Sequence, residues 1–223
     1  MPTAVRVRDA AVRRAEWAIL HQQGSADLRQ LRRALPSFPS SEDLQRAAHD
    51  LTPIYRTYVS EVSTPGMAAS LETTALLLAM CRTERTTSCI DFGSGFSSYA
   101  LRVWAAEADC VVYSVDDDPV WLARTEEFLH RQDVPWGELR LWPEVPDRTF
   151  DLVFHDLANG ARREEAMPAA LQASSRLVVF DDAQHRGHRA AMKAASDTAG
   201  ARLYSLRAIT VDWMKRYAML AIR

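Results

Sequence analysis

The chain has 223 residues, of which 48% are hydrophobic and 25% charged, with a formal net charge of −2. That length suits one α/β domain with an appendage better than two full domains, and the near-neutral charge supplies no field that would favour nucleic acid or another polyanion. No apolar stretch approaches the roughly 18 residues needed to cross a bilayer, and Arg6, Arg8, Asp9, Arg13 and Arg14 break up any signal-peptide core, so a cytoplasmic protein without a membrane partner is expected.

The first eighty residues read as helix. Val12, Ala15 and Ile19 recur at helical spacing, with Gly24 as the stop. Ser25 is then the cap of a second helix carrying Leu28, Leu31 and Leu35, ended by Pro36. The Arg13-Arg14 and Arg32-Arg33 pairs fall in these patterns and read as solvated faces. Ser40 with Asp43 resembles a capping box for a helix through Leu44, Ala47 and Leu51. A further helix is expected over 68–81, with Leu71, Ala75 and Leu78 on one face.

From Ser88 the texture changes. Short apolar runs at 88–92, 111–115, 139–142, 152–155 and 177–180 read as strands, separated mostly by helical stretches at 98–108, 120–131, 163–174 and 189–199. Helices of that length between strands imply parallel pairing and a doubly wound sheet, with fully apolar strands buried on both faces. The end of the chain differs. Runs at 203–206 and 217–222 are linked by about ten residues, too few for a parallel crossover, so they form an antiparallel pair. The fold class is therefore α/β: a mostly parallel, doubly wound, seven-stranded sheet ending in an antiparallel hairpin, with a helical N-terminal extension. Cys81, Cys89 and Cys110 lie at or beside apolar runs without a C-x-x-C pair, and read as reduced, buried thiols.

The run Cys89-Ile-Asp91-Phe-Gly93-Ser94-Gly95-Phe-Ser97 leaves the first strand and enters a helix. Glycines there let backbone approach a ligand, and the helix start offers free N–H groups. A pyrophosphate-binding G-x-G-x-x-G would carry a third glycine, which this chain lacks. Asp91 would also repel a pyrophosphate, whereas it suits an ammonium group. Asp116, about twenty residues on at the end of the second strand, can accept ribose hydroxyls. Asp117 follows it, and Asp118 caps the helix that Pro119 opens. The motif resembles the D/E-x-G-x-G of class I S-adenosylmethionine-dependent methyltransferases, with Ser97 where many members have glycine. On that resemblance Asp91, Gly93, Ser94, Gly95, Ser97, Asp116 and Asp117 hold the cofactor, and Trp142 or Glu144, just after the third strand, walls the adenine.

From about Thr64 onward the chain is similar to small-molecule O-methyltransferases of the catechol and macrolide-sugar types. The fourth strand ends His155-Asp156, the fifth ends Asp181-Asp182, and 181–190 is especially like the sugar enzymes, while 60–72 resembles the segment leading into the first strand. The resemblance implies a helical extension or lid over 1–66, which is also a candidate homodimer surface, and a cofactor domain over 67–223. It further implies a small-molecule acceptor, and a Mg²⁺ ion held by Asp156, Asp181 and Asp182, with Asp156 also beside the cofactor. Hard oxygen ligands suit that ion, which would lower the pKa of an acceptor hydroxyl. The alternative is that Asp156 and Asp182 are solvated loop acids and Asp181 a helix cap.

Two positions depart from the family. The lysine three residues past the fourth-strand aspartate is Asn159 here, and the Gly-Gly before the fifth strand is Ser174-Ser175. With the lysine base absent, Asp156 and His185 become the candidate catalytic residues, His188 being a second candidate base. Both histidines could equally be ordinary helix-start residues, and His155 a core histidine. An amine methylase of nucleic acid would show an Asn/Asp-Pro-Pro-aromatic run where this chain has His155-Asp-Leu-Ala158. A dehydrogenase is disfavoured by the glycine count and the terminal hairpin. A non-catalytic cofactor-binding protein and a metal-independent enzyme with a His base stay open.

Overall fold

The computed structural model describes residues 22–135, 137–157 and 161–223. The sheet is built from β1 (Ser88–Phe92), β2 (Val111–Asp116), β3 (Leu139–Leu141), β4 (Phe150–His155), β5 (Ser174–Phe180), β6 (Arg202–Ser205) and β7 (Met219–Ile222). Their order is β3-β2-β1-β4-β5-β7-β6. The first five strands pair parallel, and β7 runs antiparallel to both β5 and β6. The expected architecture is therefore the observed one. The helices are α1 (22–34 as described), α2 (Ser41–Glu61), α3 (Leu71–Glu84), α4 (Phe96–Glu107), α5 (Pro119–Arg131), α6 (Ala161–Gln172), α7 (Arg186–Thr198) and a single turn α8 (Arg207–Thr210) between the last two strands.

Strand side chains divide between two layers, as alternation requires. Cys89, Leu177 and Val179 pack with Leu76, Leu77 and Met80 of α3, with Leu31 of α1 and with Leu35 just past its end. Ile90, Phe92, Val178 and Phe180 pack with Met167 and Leu171 of α6 and Met192 of α7. Ala47, Leu51 and Tyr58 of α2 join a third cluster with Phe96 of α4 and Phe128 of α5. The described helices α1 and α2 are thus part of the common core. The switch in strand order between β1 and β4 opens a crevice at the C-terminal strand ends, where doubly wound sheets bind ligands.

Several local expectations are met. Ser40 and Asp43 form a reciprocal capping box at α2, with Ser40 N–H donating to Asp43 at 3.0 Å and Asp43 N–H to Ser40 Oγ at 3.2 Å. Asp118 Oδ1 accepts from Val120 and Trp121 at 2.8 and 3.3 Å and caps α5. Cys81 and Cys89 are buried and Cys110 half-buried, all three free thiols.

Other expectations are corrected. Gly24 and Ser25 lie inside α1 rather than ending one helix and capping another. Gly24 is buried, and a Cβ there would stand 3.2 Å from Cβ of Arg207, so the glycine serves a close approach to α8. The pattern through Val12, Ala15 and Ile19 lies outside the described residues, as does Asn159. The helix expected over 68–81 starts at Leu71, because Ser70 Oγ accepts from Thr73 N–H and caps it. Ser174 and Ser175 begin β5 instead of preceding it; their hydroxyls donate to the carbonyls of Leu177 and Phe150 beside a register shift in β4. No helix among the described residues is long and apolar enough to cross a membrane.

Candidate functional site

The crevice is a cavity of about 210 Å³ lined by Gly93 and Ser94 of the β1–α4 turn, Asp116 to Asp118 after β2, Asp156 after β4, Asp181 and Asp182 after β5, and by Gly66, Met67, Trp121, Arg163 and Arg216. A narrow inner recess adds Tyr58, Ala68, Ala69 and Gly95 to Ser97.

The glycine turn is shaped by contact. Gly93 sits at φ +104°, and a Cβ there would lie 2.6 Å from the carbonyl of Asp156; at Gly95, φ +151°, it would lie 2.9 Å from the hydroxyl of Tyr58. Only glycine tolerates both the positive φ and those approaches. Trp121 Nε1 donates to the Ser94 carbonyl at 2.7 Å, and Gly95 N–H to Ser98 Oγ at 3.0 Å, which holds the turn over α4. Tyr58 reaches in from α2 with a buried hydroxyl that makes no hydrogen bond among the described residues. Burial raises its pKa, with the charge of Asp116 adding to the effect.

Asp116 faces this crevice, as expected. Its Oδ2 accepts from the amide and hydroxyl of Ser94, and its Oδ1 from Asp118 N–H at 3.0 Å. Burial raises its pKa against those bonds. Asp117 pairs with the exposed Arg162 at 3.1 Å. Trp142 packs on Phe92 with ring centroids 5.6 Å apart, and with Asp117 and Leu157 lines an adjoining cavity of about 380 Å³. Glu144 is not among the residues lining it.

Asp91 is not among the residues that line the crevice. It is wholly buried beneath the turn, where its Oδ2 accepts from Ser97 Oγ at 3.0 Å and Ser98 Oγ at 2.6 Å. Burial raises its pKa, opposed by the charge of Arg102. That arginine, itself buried, donates to Ser114 Oγ at 2.7 Å and to the Gly137 carbonyl at 3.0 Å. Asp91 and Ser97 therefore brace the turn, and Ser97 also lines the inner recess.

At the far end Asp156, Asp181 and Asp182 converge, and two of them, Asp156 and Asp182, meet an arginine. Arg163, near the start of α6, has a side chain only 7% exposed; its Nη2 meets Asp156 Oδ1 at 2.7 Å and its Nη1 donates to Asp182 Oδ2. Gln184 Nε2 donates to the other oxygen of Asp182 at 2.8 Å. Among the described residues, no group of three His, Cys, Asp or Glu side chains is placed to hold a metal ion. The carboxylate set thus does not fit the expected Mg²⁺. Burial pushes the Asp156 carboxyl well up, and Asp181 and Asp182 add to this while Arg163 opposes it. Burial first, and then Asp182, raises Asp181 to about 6. Burial also acts on Asp182, yet Arg163 and Gln184 together bring its pKa below the usual range.

His185 is not brought to these groups. It is exposed at the start of α7, where its ring packs against His188 at 5.1 Å. His188 Nε2 is 4.0 Å from Glu164, and neither histidine lines the crevice. His155 is a core histidine: Nε2 donates to the Arg163 carbonyl at 2.9 Å, and burial lowers its pKa to about 4.

Among the crevice residues that escaped the sequence reading are Tyr58, Trp121, Arg163 and Arg216. Arg216 donates from Nε to the buried Asp212 at 2.8 Å and from its two Nη atoms to the carbonyls of Ala68 and Pro65, both at 2.8 Å. It fastens the 65–68 segment to the last hairpin. The nearest sequence signal was Asp212 with Arg216 at helical spacing outside any helix.

No protein-family model and no curated protein matches this chain. Among solved structures, it is similar to the O-methyltransferase TomG from Streptomyces achromogenes, involved in tomaymycin synthesis and solved with SAM. That match has TM-score 0.52 and 19% identity, covering 90% of this chain and 96% of that one. The O-methyltransferase from Bacillus cereus in complex with SAH matches with TM-score 0.51 and 11% identity over 92% and 100% of the two chains. Precorrin-6y C5,15-methyltransferase from Geobacter metallireducens matches with TM-score 0.53 and 15% identity over 70% and 90%. Sheet order, terminal antiparallel strand and these likenesses agree: the chain has the fold of the class I S-adenosylmethionine-dependent methyltransferases.

Proposed function

We propose that this chain binds S-adenosylmethionine and transfers its methyl group to a hydroxyl of a small molecule. The observation that carries the reading is the crevice itself, which runs from Asp116 and Asp117 past the Gly93–Gly95 turn to Asp156 and Asp181. The lining suits the cofactor in two respects: a cradle that any Cβ would fill, and the orphaned hydroxyl of Tyr58 in the inner recess. Ser94 and Asp118 use three of the roughly four acceptor sites on Asp116, so Asp116 would take one ribose hydroxyl through Oδ1 and Asp117 the other. Trp142 and Leu157 would flank the adenine, and Tyr58 would donate to the methionine carboxylate.

The bound cofactor supplies an electrophilic methyl group on a sulfonium. The chain's part is to place the acceptor oxygen in line with it and to take its proton. Asp156 is the base best suited, since its carboxylate lines the crevice after β4 and is oriented by Arg163 at 2.7 Å. Met67 at the crevice, 64% exposed, and Trp213 on the final hairpin, 78% exposed, offer apolar surface to the body of the acceptor. Likeness to two O-methyltransferases supports oxygen as the acceptor atom. The test is calorimetry with S-adenosylmethionine, its demethylated product and NAD, followed by a labelled-methyl screen of hydroxylated small molecules. Binding of NAD with no binding of the methyl donor would sink the proposal.

A further inference from the structure

We infer that Arg163 is the resident cation at the acceptor end of the crevice, standing where a divalent metal would otherwise be needed to hold Asp156 and Asp182 together. The inference rests on the methyltransferase reading above. Three acidic side chains crowd one end of a half-enclosed cavity, and some positive charge must offset them. The guanidinium does so directly, with one Nη on Asp156 at 2.7 Å and the other on Asp182. Nη2 also donates to the main-chain carbonyl of Asp156 at 3.1 Å. A planar fork that cannot lose its proton suits this bridging between two carboxylates.

The bridge leaves little for a metal on Asp156 and Asp182, and Asp181, whose Oδ1 is buried with no hydrogen-bond partner among the described residues, is a single carboxylate. Both oxygens of Asp182 are engaged, one by Arg163 and one by Gln184. One oxygen of Asp156 faces Arg163 as well. Mg²⁺ demands near-octahedral oxygen ligands at about 2.0–2.1 Å, so it would have to expel Arg163 and strand a nearly buried guanidinium. Arg163 is also tethered from behind, since His155 of β4 donates from Nε2 to its carbonyl at 2.9 Å. The salt bridges keep Asp156 in place as a proton acceptor and fix Asp182 beside it, without a metal to activate the hydroxyl. Arg163 is a positioning residue in this account.

The test uses the full chain stripped with chelator and titrated with Mn²⁺, followed by electron paramagnetic resonance and calorimetry, with and without saturating S-adenosylhomocysteine. The expected result is no saturable Mn²⁺ site in either state while the nucleoside binds. Arg163→Met frees both carboxylates and should gain a Mn²⁺ site, lost again when Asp182→Asn is added. One Mn²⁺ bound per wild-type chain and lost in Asp181→Asn overturns the inference. So does a folded Arg163→Met chain with no gained site; if that variant does not fold, the wild-type titration decides alone. Failure to bind S-adenosylhomocysteine would count against the methyltransferase reading and leave the Mn²⁺ result standing.

Discussion

Ser94 gives both its amide and its hydroxyl to the same oxygen of Asp116, each at 2.7 Å. One carboxylate therefore locks the glycine turn to the end of β2 and still presents Oδ1 to the crevice. Structure and binding meet on that side chain.

Asp116→Ala should accordingly lose both stability and cofactor affinity. Each buried donor left unpaired costs about 1–3 kcal/mol. Asp117→Ala breaks only a contact with the exposed Arg162 and should cost stability no more than about 0.5 kcal/mol, while still weakening S-adenosylhomocysteine. Chemical denaturation beside calorimetry on both variants separates the two effects. Equal loss of stability in both would show that Asp116 does not brace the turn.

Gly93→Ala forces a Cβ to within 2.6 Å of the Asp156 carbonyl at a φ of +104°. Strain of this kind costs on the order of 1–3 kcal/mol, or a fall in Tm of about 2–4 °C per kcal/mol for a chain of this size. Because the displaced atoms belong to Asp156, cofactor binding should weaken at temperatures where the variant is still folded. A Gly93→Ala protein that melts with the parent would remove the contact from the account.

Two buried groups set opposing pH slopes. His155 is held near 4 in the fold against 6.5 outside it, so its contribution is complete above pH 6.5 and is lost as pH falls toward 4. Asp181 sits near 6 against 3.8, so its burden on stability is full above pH 6 and is relieved as pH falls toward 4. Asp181→Asn removes its own share of the second slope, to which Asp91, Asp116 and Asp156 also contribute, so the variant should gain stability at pH 7 relative to the parent and lose it more steeply on acidification. Denaturant midpoints at pH 7, 5.5 and 4.5 check this, and parallel profiles would refute it.

Arg216→Ala should loosen residues 65–68 and strand Asp212, whose side chain is 1% exposed. Removing one partner of a buried ion pair typically costs about 3–5 kcal/mol. Arg216→Lys keeps the charge but cannot span Asp212 and two carbonyls, so it should recover only part of the loss. Hydrogen exchange at Met67 and Ala68 reports the loosening directly. Unchanged protection there in Arg216→Ala would dismiss the clamp.

Much of the fold was legible along the chain because its determinants are local. Alternating strands and long helices require parallel pairing, and the short link read between the last two strands, which in the fold is residues 206–218 with only the single turn of α8, holds no full crossover helix, so the final antiparallel strand follows from spacing. The Ser40–Asp43 box and the Asp118 cap are likewise local devices, each spanning four residues. Gly24 shows the limit of such reasoning. A glycine inside a helical pattern looks like a stop, and only the approach of α8 reveals that it makes room for Arg207.

The site divides in the same way. Gly93, Ser94, Gly95, Asp116 and Asp156 stand at strand ends, where topology alone points them toward the crevice. Asp91 belongs to the same motif, but a strand alternates faces, and which side of the turn receives its carboxylate depended on Ser97 and Ser98 of the following helix. Arg163 carries no local signal at all. An arginine in the first turn of a helix looks solvated, and it becomes the partner of Asp156 and Asp182 only because α6 packs back across β4 and β5. Tyr58 and Arg216 enter from opposite ends of the chain for the same reason. Strand ends are set by sequence spacing, whereas the charges and hydroxyls that complete the crevice come from elements joined only by packing.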